Sequence, residues 1–263
     1  MKYFAISDIH GFYEPMMQSL HKAGYRKNNP DHILIVCGDI FDRGPDSVKV
    51  YKFLKSIPKD RRILIRGNHE YLLRDIVERN KKTDTEEYDD LQDYDYHNGT
   101  VDTLKQFIDY YYPGTFDNLM HPAQTFGHLP ILDWIFGDEW VNYYELDNYI
   151  FVHSWIPVDT HCNWPLYSIM NYSGFTFDYN WKQASDFEWE EASWGCPWLM
   201  YHHKLYPEDK IIVCGHWHTS DFRTALDKQG QSDDNSLYKG DHIIGLDACT
   251  VLTGYCNVLV IDK

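Results

Sequence analysis

Short apolar runs recur along the whole chain, and they constrain the fold more than any other feature of the sequence. Each run has three to five residues and is rich in Ile, Val, Leu or Phe, which is typical of strands buried on both faces. The runs cover residues 3–6, 33–37, 63–65, 149–152, 211–214, 243–246 and 257–261. Apolar residues at helical spacing follow the first three runs, in the stretches 16–23, 48–54 and 72–77. This alternation of strands and helices predicts a layered α/β fold.

The alternation is interrupted twice. Residues 80–140 contain an acidic run at 84–95, in which seven of twelve residues are Asp or Glu, and then a helical pattern at 101–108. We interpret 80–140 as an insertion or cap, and the acidic run either as a solvated face or as a lining of the approach to a cleft. Residues 155–206 hold six tryptophans and predict a packed lobe over a cleft. In a chain of 263 residues, these features predict a single domain, 1–263, with one insertion and one lobe.

Composition argues against several classes of protein. Asp and Glu number 40 against 24 Lys and Arg, a formal charge of −16, which argues against binding to duplex nucleic acid or to an anionic membrane surface. No apolar stretch approaches the ~20 residues of a membrane helix, and the first residues resemble a strand rather than a signal peptide. The six cysteines form no Cys-x-x-Cys pair, so we expect no disulfide framework. We expect Cys37 and Cys214 to be reduced core thiols in a cytoplasmic protein.

Five of the apolar runs are followed directly by residues that can ligate metals. The blocks are Ser7-Asp8-Ile9-His10-Gly11, Gly38-Asp39-Ile40-Phe41-Asp42-Arg43-Gly44, Gly67-Asn68-His69-Glu70, His153, and Gly215-His216-Trp217-His218. Open α/β sheets bind their ligands at the carboxyl ends of the strands, so the five blocks are expected to meet at one site.

Each block alone has a simpler interpretation. Asp8 can cap a helix, Asn68 can be a turn residue, and a lone His153 can be a hydrogen-bonded core histidine. His216 and His218 form a stronger signal, because alternate residues of an extended segment point to the same side. Five separate explanations at five equivalent strand ends are less economical than one shared site.

The side chains form a coherent ligand set. Asp, His and Asn supply mixed oxygen and nitrogen donors that suit manganese, with iron or zinc as alternatives, and that suit calcium poorly. Six or seven candidates exceed what one tetrahedral ion takes, so two divalent ions sharing a bridging carboxylate are the simplest interpretation. Two such ions about 3.5–4 Å apart polarise a phosphoryl group and convert a shared water to hydroxide near neutral pH. The sequence therefore predicts machinery for phosphoester hydrolysis.

The blocks resemble the pattern of the calcineurin-like metallophosphoesterase superfamily, which is Asp-x-His, Gly-Asp-x-x-Asp, Gly-Asn-His-Asp/Glu, a later His and Gly-His-x-His. All five occur here in order, and the resemblance is strong over residues 1–80 and again around 149–153 and 211–218. Asp42-Arg43-Gly44 and Gly67-Asn68-His69-Glu70 are more similar to the phosphoprotein phosphatase branch, which includes bacterial and phage phosphatases and symmetrical dinucleoside tetraphosphate hydrolases. The resemblance implies a two-sheet β-sandwich flanked by helices, here with a cap-like insertion.

The resemblance also implies roles for individual residues. The implied metal ligands are Asp8 and His10 for the first ion, Asp39 as the bridge, Asn68, His153 and His216 for the second ion, and His218 as a further ligand of the first. His69 would be the general acid that protonates the leaving oxygen, and Asp42 the carboxylate that keeps it protonated. Arg43 would bind the phosphate oxygens with its planar fork.

One departure from this branch concerns a second arginine. The branch supplies another phosphate-binding arginine between the fourth and fifth blocks, whereas this chain has no arginine from residue 80 to 222. The segment 194–198 is where it would fall. Lys182, Lys204 or Arg66 is a candidate substitute; the alternative is that the site binds the phosphate less tightly.

Three functions remain open at this point. The leading hypothesis is a serine/threonine protein phosphatase-like phosphomonoesterase that acts on a phosphoprotein or a small phosphoester through a metal-bridging hydroxide. The second is a dinucleoside polyphosphate hydrolase or a phosphodiesterase, favoured by His218, by the missing arginine and by aromatic residues of 155–206 that could stack on a base or could simply be core. The third is a non-catalytic metal-binding module, against which the presence of His69 and Asp42 argues.

Overall fold

The computed structural model describes residues 1–81, 91–114, 129–159, 175–227 and 230–263, without the side chains of 80 and 81. Residues 84–90 of the acidic run lie outside the described residues, as do Cys162 and Trp164.

Ten strands and ten α-helices occur in these ranges. The strands are β1 (Lys2–Ile6), β2 (His32–Cys37), β3 (Arg62–Ile65), β4 (Trp140–Val141), β5 (Tyr144–Leu146), β6 (Tyr149–Phe151), β7 (Ile211–Cys214), β8 (Tyr238–Lys239), β9 (Ile243–Gly245) and β10 (Leu259–Asp262). The helices are α1 (Tyr13–Lys22), α2 (Ser47–Lys55), α3 (Asn68–Lys81), α4 (Asp93–His97), α5 (Thr100–Tyr111), α6 (Pro130–Ile135), α7 (Asp186–Ala192), α8 (Pro197–His202), α9 (Thr219–Leu226) and α10 (Thr250–Thr253). Short 3₁₀ turns cover Lys59–Arg61 and Trp181–Gln183.

The strands form two five-stranded mixed sheets. The first has the order β10-β1-β2-β3-β4, in which β1 to β4 are parallel and β10 is antiparallel. The second has the order β5-β6-β7-β9-β8, with a parallel centre and antiparallel edge strands. All seven predicted strands are present, with bounds that differ by at most two residues.

The two sheets pack face to face, with helices on their outer faces. Side chains of β1 alternate between the two sides, because successive residues of a strand point in opposite directions. Tyr3 and Ala5 join Phe151 of the second sheet in the apolar layer between the sheets. Phe4 and Ile6 instead pack in the cluster formed with the outer helices. The architecture is the predicted two-sheet sandwich flanked by helices.

The described part of the 80–140 segment is tied closely to the first sheet. Helix α5 shows apolar residues at helical spacing, and its buried Val101, Leu104 and Phe107 belong to the same apolar cluster as β1, β2 and β3. The ring of Phe107 packs edge-on against Phe41, with centroids 5.4 Å apart. Helix α5 therefore lies against the loop that follows β2.

The described part of the aromatic segment 155–206 contributes chiefly to the core of the second sheet. Trp155, Trp181 and Trp189 are buried in one cluster with residues of β6 and β7. In the described residues the cysteines are free thiols, and Cys37 and Cys214 are fully buried as predicted. Among the described helices, none combines the length and the apolar character needed to cross a membrane.

Candidate active site

The carboxyl ends of β1, β2, β3, β6 and β7 bring the predicted ligands to one edge of the sandwich. In the first sheet Ile6 pairs with Val36 and Cys37 pairs with Ile65, so the three strands end almost level. In the second sheet β6 and β7 are parallel neighbours and end together. The side chains beyond these ends are Asp8, His10, Asp39, Asn68, His153 and His216, all buried except the half-buried His216.

One group of ligand atoms consists of Asp39, His153 and His216, whose atoms all lie within 4.8 Å of one another. His153 Nε2 is 3.3 Å from Asp39 Oδ1 and 3.2 Å from His216 Nδ1. It is also 2.8 Å from Asn68 Oδ1. His153 Nδ1 donates to the carbonyl oxygen of Cys37 at 2.9 Å, so Nε2 of the neutral ring carries a lone pair.

In this group, lone pairs face lone pairs. The amide oxygen of Asn68 faces only acceptor atoms, and its contacts with Asp39, His153 and His216 become hydrogen bonds only if the amide is turned over. A cation at the centre would instead bind all four side chains as they stand, because it accepts lone pairs from oxygen and nitrogen alike. The donor set therefore fits a divalent metal ion.

A second group consists of His10, Asp39 and His69. Asp39 Oδ2 lies 3.8 Å from Nε2 of both histidines. Asp39 thus faces both groups, with Oδ1 toward the first and Oδ2 toward the second. The Asp8 carboxylate lies at the edge of this centre, where it accepts a hydrogen bond from the backbone N–H of His216 at 3.1 Å.

The electrostatics of the centre match the protonation states that metal binding requires. Burial lowers the pKa of His10 and His153 and lowers that of His216 to about 3, so the rings are neutral at pH 7. Burial, followed by the negative charge of Asp247, raises the pKa of Asp8. A divalent cation would reverse that effect by offsetting the crowded negative charge.

Backbone strain is concentrated in the same residues. Eight non-glycine residues of the described chain have a positive φ, and five of them belong to the predicted site. They are Asp8 (49°), His10 (49°), Asp39 (53°), Arg43 (75°) and His216 (67°). Such conformations cost free energy and persist where the surrounding structure enforces them, which is typical of functional sites.

Two glycines let these strained loops approach one another. A Cβ atom on Gly215 would lie 2.0 Å from Oδ2 of Asp8, and one on Gly67 would lie 2.3 Å from Oδ1 of Asp39. No side chain fits at either position without displacing the carboxylate.

His69 and Asp42 form a buried hydrogen-bonded pair beside the second group. His69 Nδ1 lies 2.8 Å from Asp42 Oδ2, which also accepts a hydrogen bond from Thr100 Oγ1 at 2.6 Å. Burial would lower the pKa of His69, but the charge of Asp39 and the hydrogen bond to Asp42 outweigh it and raise the pKa. His69 therefore differs from His10, His153 and His216, and its environment favours the protonated form.

Arg43 extends over the second group. Its Nη1 lies 3.1 Å from His10 Nε2, and its Nη2 lies 3.1 Å from His69 Nε2. A guanidinium at this position can reach an anion bound between the two histidines.

Glu70 is a supporting residue to which sequence reasoning gave no role. Its buried carboxylate accepts hydrogen bonds from the backbone N–H groups of Gly67 at 2.7 Å and of Asp39 and Ile40 at 3.0 Å. It thereby links the loop after β2 to the loop after β3. Burial and the charge of Asp39 raise the pKa of Glu70 to about 8, against the lowering effect of the three amides. The sequence signal that could have indicated a role for Glu70 is its position at the end of the Gly-Asn-His-Glu block.

His218 is a predicted ligand that lies apart from both groups. Its side chain is 44% exposed, with Nε2 4.0 Å from Asp247 Oδ2 and Nδ1 3.8 Å from Asp221 Oδ2. Asp247 is a second residue that received no role from the sequence, and it is buried next to Asp8 and His218. Burial raises its pKa to about 6, although His218 acts to lower it.

The three candidate substitutes for the second arginine make their described contacts outside the Asp and His cluster. The Arg66 guanidinium donates to the carbonyl oxygens of Ile135 and Trp140 and to Asn142 Oδ1, so it holds α6 against β4. Lys182 and Lys204 line a cavity of about 730 Å³ together with Lys210. Because Lys210 directly precedes β7, this cavity lies at the opposite end of the strand from His216. The replacement of the arginine by one of these side chains stays a prediction, and of the three, Arg66 lines a cavity together with a predicted ligand, His153.

Aromatic rings flank His216. The ring centroid of Trp194 is 6.1 Å from that of His216. Trp217 is 39% exposed and packs edge-on against Trp198, with centroids 4.7 Å apart. The rim of the site is thus aromatic here.

A two-sheet sandwich with Asp, His and Asn side chains converging at its strand ends is the arrangement of the metallophosphoesterase class. The chain belongs to the calcineurin-like phosphoesterase family, whose model matches residues 1–231. The Asp and His cluster corresponds to the binuclear divalent-metal site of that family.

Curated relatives match only a part of the chain. A symmetrical bis(5'-nucleosyl)-tetraphosphatase of Buchnera aphidicola is 44% identical over 70 residues, which are 27% of this chain and 24% of the relative. The asymmetrical bis(5'-nucleosyl)-tetraphosphatase PrpE of Bacillus velezensis is 40% identical over 76 residues, 26% of this chain and 30% of the relative. The chain thus matches less than a third of the length of each.

Solved structures match the fold over nearly the whole chain. A protein provisionally assigned as a diadenosine tetraphosphatase aligns with a TM-score of 0.52 at 15% identity, covering 99% of this chain and 92% of its own. A cold-active protein-tyrosine phosphatase of a psychrophilic Shewanella species aligns with a TM-score of 0.53 at 14% identity, covering 100% and 75%. At these identities the likeness concerns the fold alone.

Proposed function

We propose that the protein hydrolyses a phosphoric ester or anhydride bond at the site formed by Asp8, His10, Asp39, Asn68, His153 and His216. The observation that carries this proposal is the convergence of these side chains with the buried Asp42–His69 pair. Two divalent ions, manganese first and iron or zinc as alternatives, would polarise the phosphoryl group and activate a water. Asp39, which faces both groups of ligand atoms, would hold both ions.

The protein's own residues then supply orientation and a proton. Arg43 binds the non-bridging phosphate oxygens with its two guanidinium nitrogens, which stabilises the negative charge that grows on them. His69 donates its Nε2 proton to the leaving oxygen, and Asp42 fixes the ring through Nδ1. This pair has no use in a module that only binds metal, which is why we prefer a catalyst.

The substrate that we propose is a dinucleoside polyphosphate. Trp194 and the half-exposed Trp217 stand next to His216, where a nucleobase attached to the bound phosphates could stack. In the described residues no second arginine competes for that side of the site. The names of the two curated relatives, both bis(5'-nucleosyl)-tetraphosphatases, point to the same class of substrate.

A phosphomonoester, including a phosphoprotein, is the second candidate. The position of Arg43 over His10 and His69 favours it, because a terminal phosphate presents three oxygens to that fork. Cytoplasmic location and the lack of duplex nucleic acid or membrane partners stay predictions.

The test is a substrate panel on protein loaded with manganese, iron or zinc. The panel compares turnover of diadenosine tetraphosphate, a phosphothreonine peptide and an aryl phosphate. Trp217→Ala is expected to reduce turnover of diadenosine tetraphosphate about tenfold and to leave turnover of the peptide and the aryl phosphate unchanged. Tyr179→Ala is the matched control, since Tyr179 is 87% exposed and lines the remote cavity. Failure to cleave any of the three substrates with any metal would refute the hydrolase.

A further inference from the structure

Helix α5 contacts the catalytic loop at several points, although the two are more than fifty residues apart in the chain. We call residues 42–47, which follow β2 and carry Asp42 and Arg43, the Arg43 loop. Gln106 of α5 accepts a hydrogen bond from the backbone N–H of Ser47 at 2.9 Å and donates to the carbonyl oxygen of Gly44 at 3.0 Å. The helix thus holds both the middle and the end of the loop.

The start of α5 contacts the functional end of the same loop. Gly99 immediately precedes the helix with φ at 78°, and a Cβ there would lie 2.6 Å from the backbone nitrogen of Arg43. Thr100, the first residue of the helix, is fully buried and donates its hydroxyl hydrogen to Asp42 Oδ2 at 2.6 Å.

The Asp42 carboxylate has few other donors. Its Oδ2 receives the hydrogen bonds of Thr100 and of His69, whereas its Oδ1 is buried and has no hydrogen-bond partner in the described structure. A buried carboxylate depends strongly on each hydrogen bond that it retains, because water cannot replace a lost one. The hydroxyl of Thr100 therefore fixes the rotamer of the carboxylate that in turn orients His69.

We propose that Thr100 is a positioning residue for proton donation, through which the 80–140 segment takes part in catalysis. Thr100 holds Asp42, Asp42 holds His69 Nδ1, and His69 Nε2 is thereby aimed at the leaving oxygen. The inference rests on the proposed function, since it needs His69 to be the general acid. Gln106 and Gly99 keep the Arg43 loop against the helix but do not touch Asp42.

A comparison of leaving groups tests the role of Thr100. p-Nitrophenolate departs with little help from an acid, whereas phenolate needs a proton, so the ratio of kcat for phenyl phosphate to kcat for p-nitrophenyl phosphate reports on proton donation. We expect Thr100→Val to lower that ratio about tenfold and Thr100→Ser, which keeps the hydroxyl, to restore it to within about twofold. Gln106→Leu, which weakens the same helix contact without touching Asp42, is expected to leave the ratio unchanged.

The outcomes separate this inference from the proposed function. If the metal-loaded wild type cleaves neither of these esters nor diadenosine tetraphosphate, the proposed function fails. If the wild type cleaves both and Thr100→Val keeps the wild-type ratio, or loses both activities equally, the inference about Thr100 is overturned. Thr100→Ala serves as a second variant if Thr100→Val does not fold, and thermal unfolding of each variant shows which ones do.

Discussion

Arg43 Nη1 lies 3.1 Å from Nε2 of His10. The residue that we propose binds the substrate phosphate therefore contacts the lone pair of a proposed metal ligand. His10 Nδ1 is buried without a partner in the described structure, which leaves Nε2 as the atom that accepts from Arg43. A metal ion bound to Nε2 and the Arg43 contact cannot use the same lone pair. Metal binding is therefore expected to release the guanidinium toward the phosphate.

Removal of the Arg43 side chain is expected to weaken phosphate binding and not metal binding. We expect Arg43→Ala to lower kcat/KM for an aryl phosphate about 100-fold, because a bidentate charged contact is lost, while two metal ions per chain are retained. Arg43→Lys, which keeps the charge but not the fork, is expected to recover only part of the activity. Steady-state kinetics and elemental analysis check both points, and loss of metal in Arg43→Ala would contradict the assignment.

Metal removal is expected to lower both activity and stability. Without a cation, the carboxylates of Asp8, Asp39 and Asp247 are crowded in a buried site, and burial with the charge of Asp247 raises the pKa of Asp8. Chelation should therefore abolish turnover and lower Tm, and added manganese should restore both in a concentration-dependent way. Scanning fluorimetry with and without chelator measures the shift, and an unchanged Tm would count against a buried metal centre.

A methyl group at Gly215 is expected to destroy the metal site. The added Cβ would lie 2.0 Å from Asp8 Oδ2, so the carboxylate must move. We expect Gly215→Ala to lose at least one metal ion and more than about 100-fold in kcat. Gly24→Ala is the control: its φ of 93° makes the substitution strained, but a Cβ there meets nothing within 4 Å. That variant should lose about 1 kcal/mol of stability and keep its metal.

Low pH is expected to weaken the hydrogen bonds and ion pairs of Glu139, which lies far from the site. Burial would raise the pKa of Glu139, but hydrogen bonds from Lys59, Trp134 and Arg62 outweigh it and lower the pKa to about 2. A depressed carboxyl pKa stabilises the fold above the unfolded-state value near 4.5, and this contribution is lost as the pH falls toward 2.

Glu139→Gln isolates this effect. At pH 7 we expect the variant to be less stable than the wild type by about 1 kcal/mol, the scale of a partly exposed ion pair. Urea unfolding at several pH values should show the difference shrinking below pH 4.5. A difference that stays constant with pH would mean that Glu139 acts through packing alone.

The sequence predicted the central strands and the ligands because both depend on local pattern. β1, β2 and β7 are buried on both faces, so their apolar runs mark them almost to the residue. Edge strands β4 and β8 have two residues each, too few to show any period. The candidate ligands stood out because each lies within a few residues after a buried strand.

Other features could not be predicted, because they arise from contacts between distant parts of the chain. The hydrogen bond from Thr100 to Asp42 joins residues 58 apart. Arg66 donates to backbone carbonyl groups of α6 and β4, and no local pattern reveals these contacts. The placement of His218 toward Asp247 likewise follows from how the loop after β7 meets the loop after β9.

The proposed metal centre is assembled from both sheets: Asp8, Asp39 and Asn68 come from one, and His153 and His216 from the other. Two hydrogen bonds join the two sheets at this centre: His153 Nδ1 donates to the carbonyl oxygen of Cys37, and the His216 backbone N–H donates to Asp8. A slip of one sheet past the other by a single residue, about 3.3 Å, would pull the two halves of the ligand set apart. Metal occupancy is therefore expected to depend on how the two sheets are aligned. Substitutions in the apolar layer between the sheets are expected to change catalytic activity by changing that alignment.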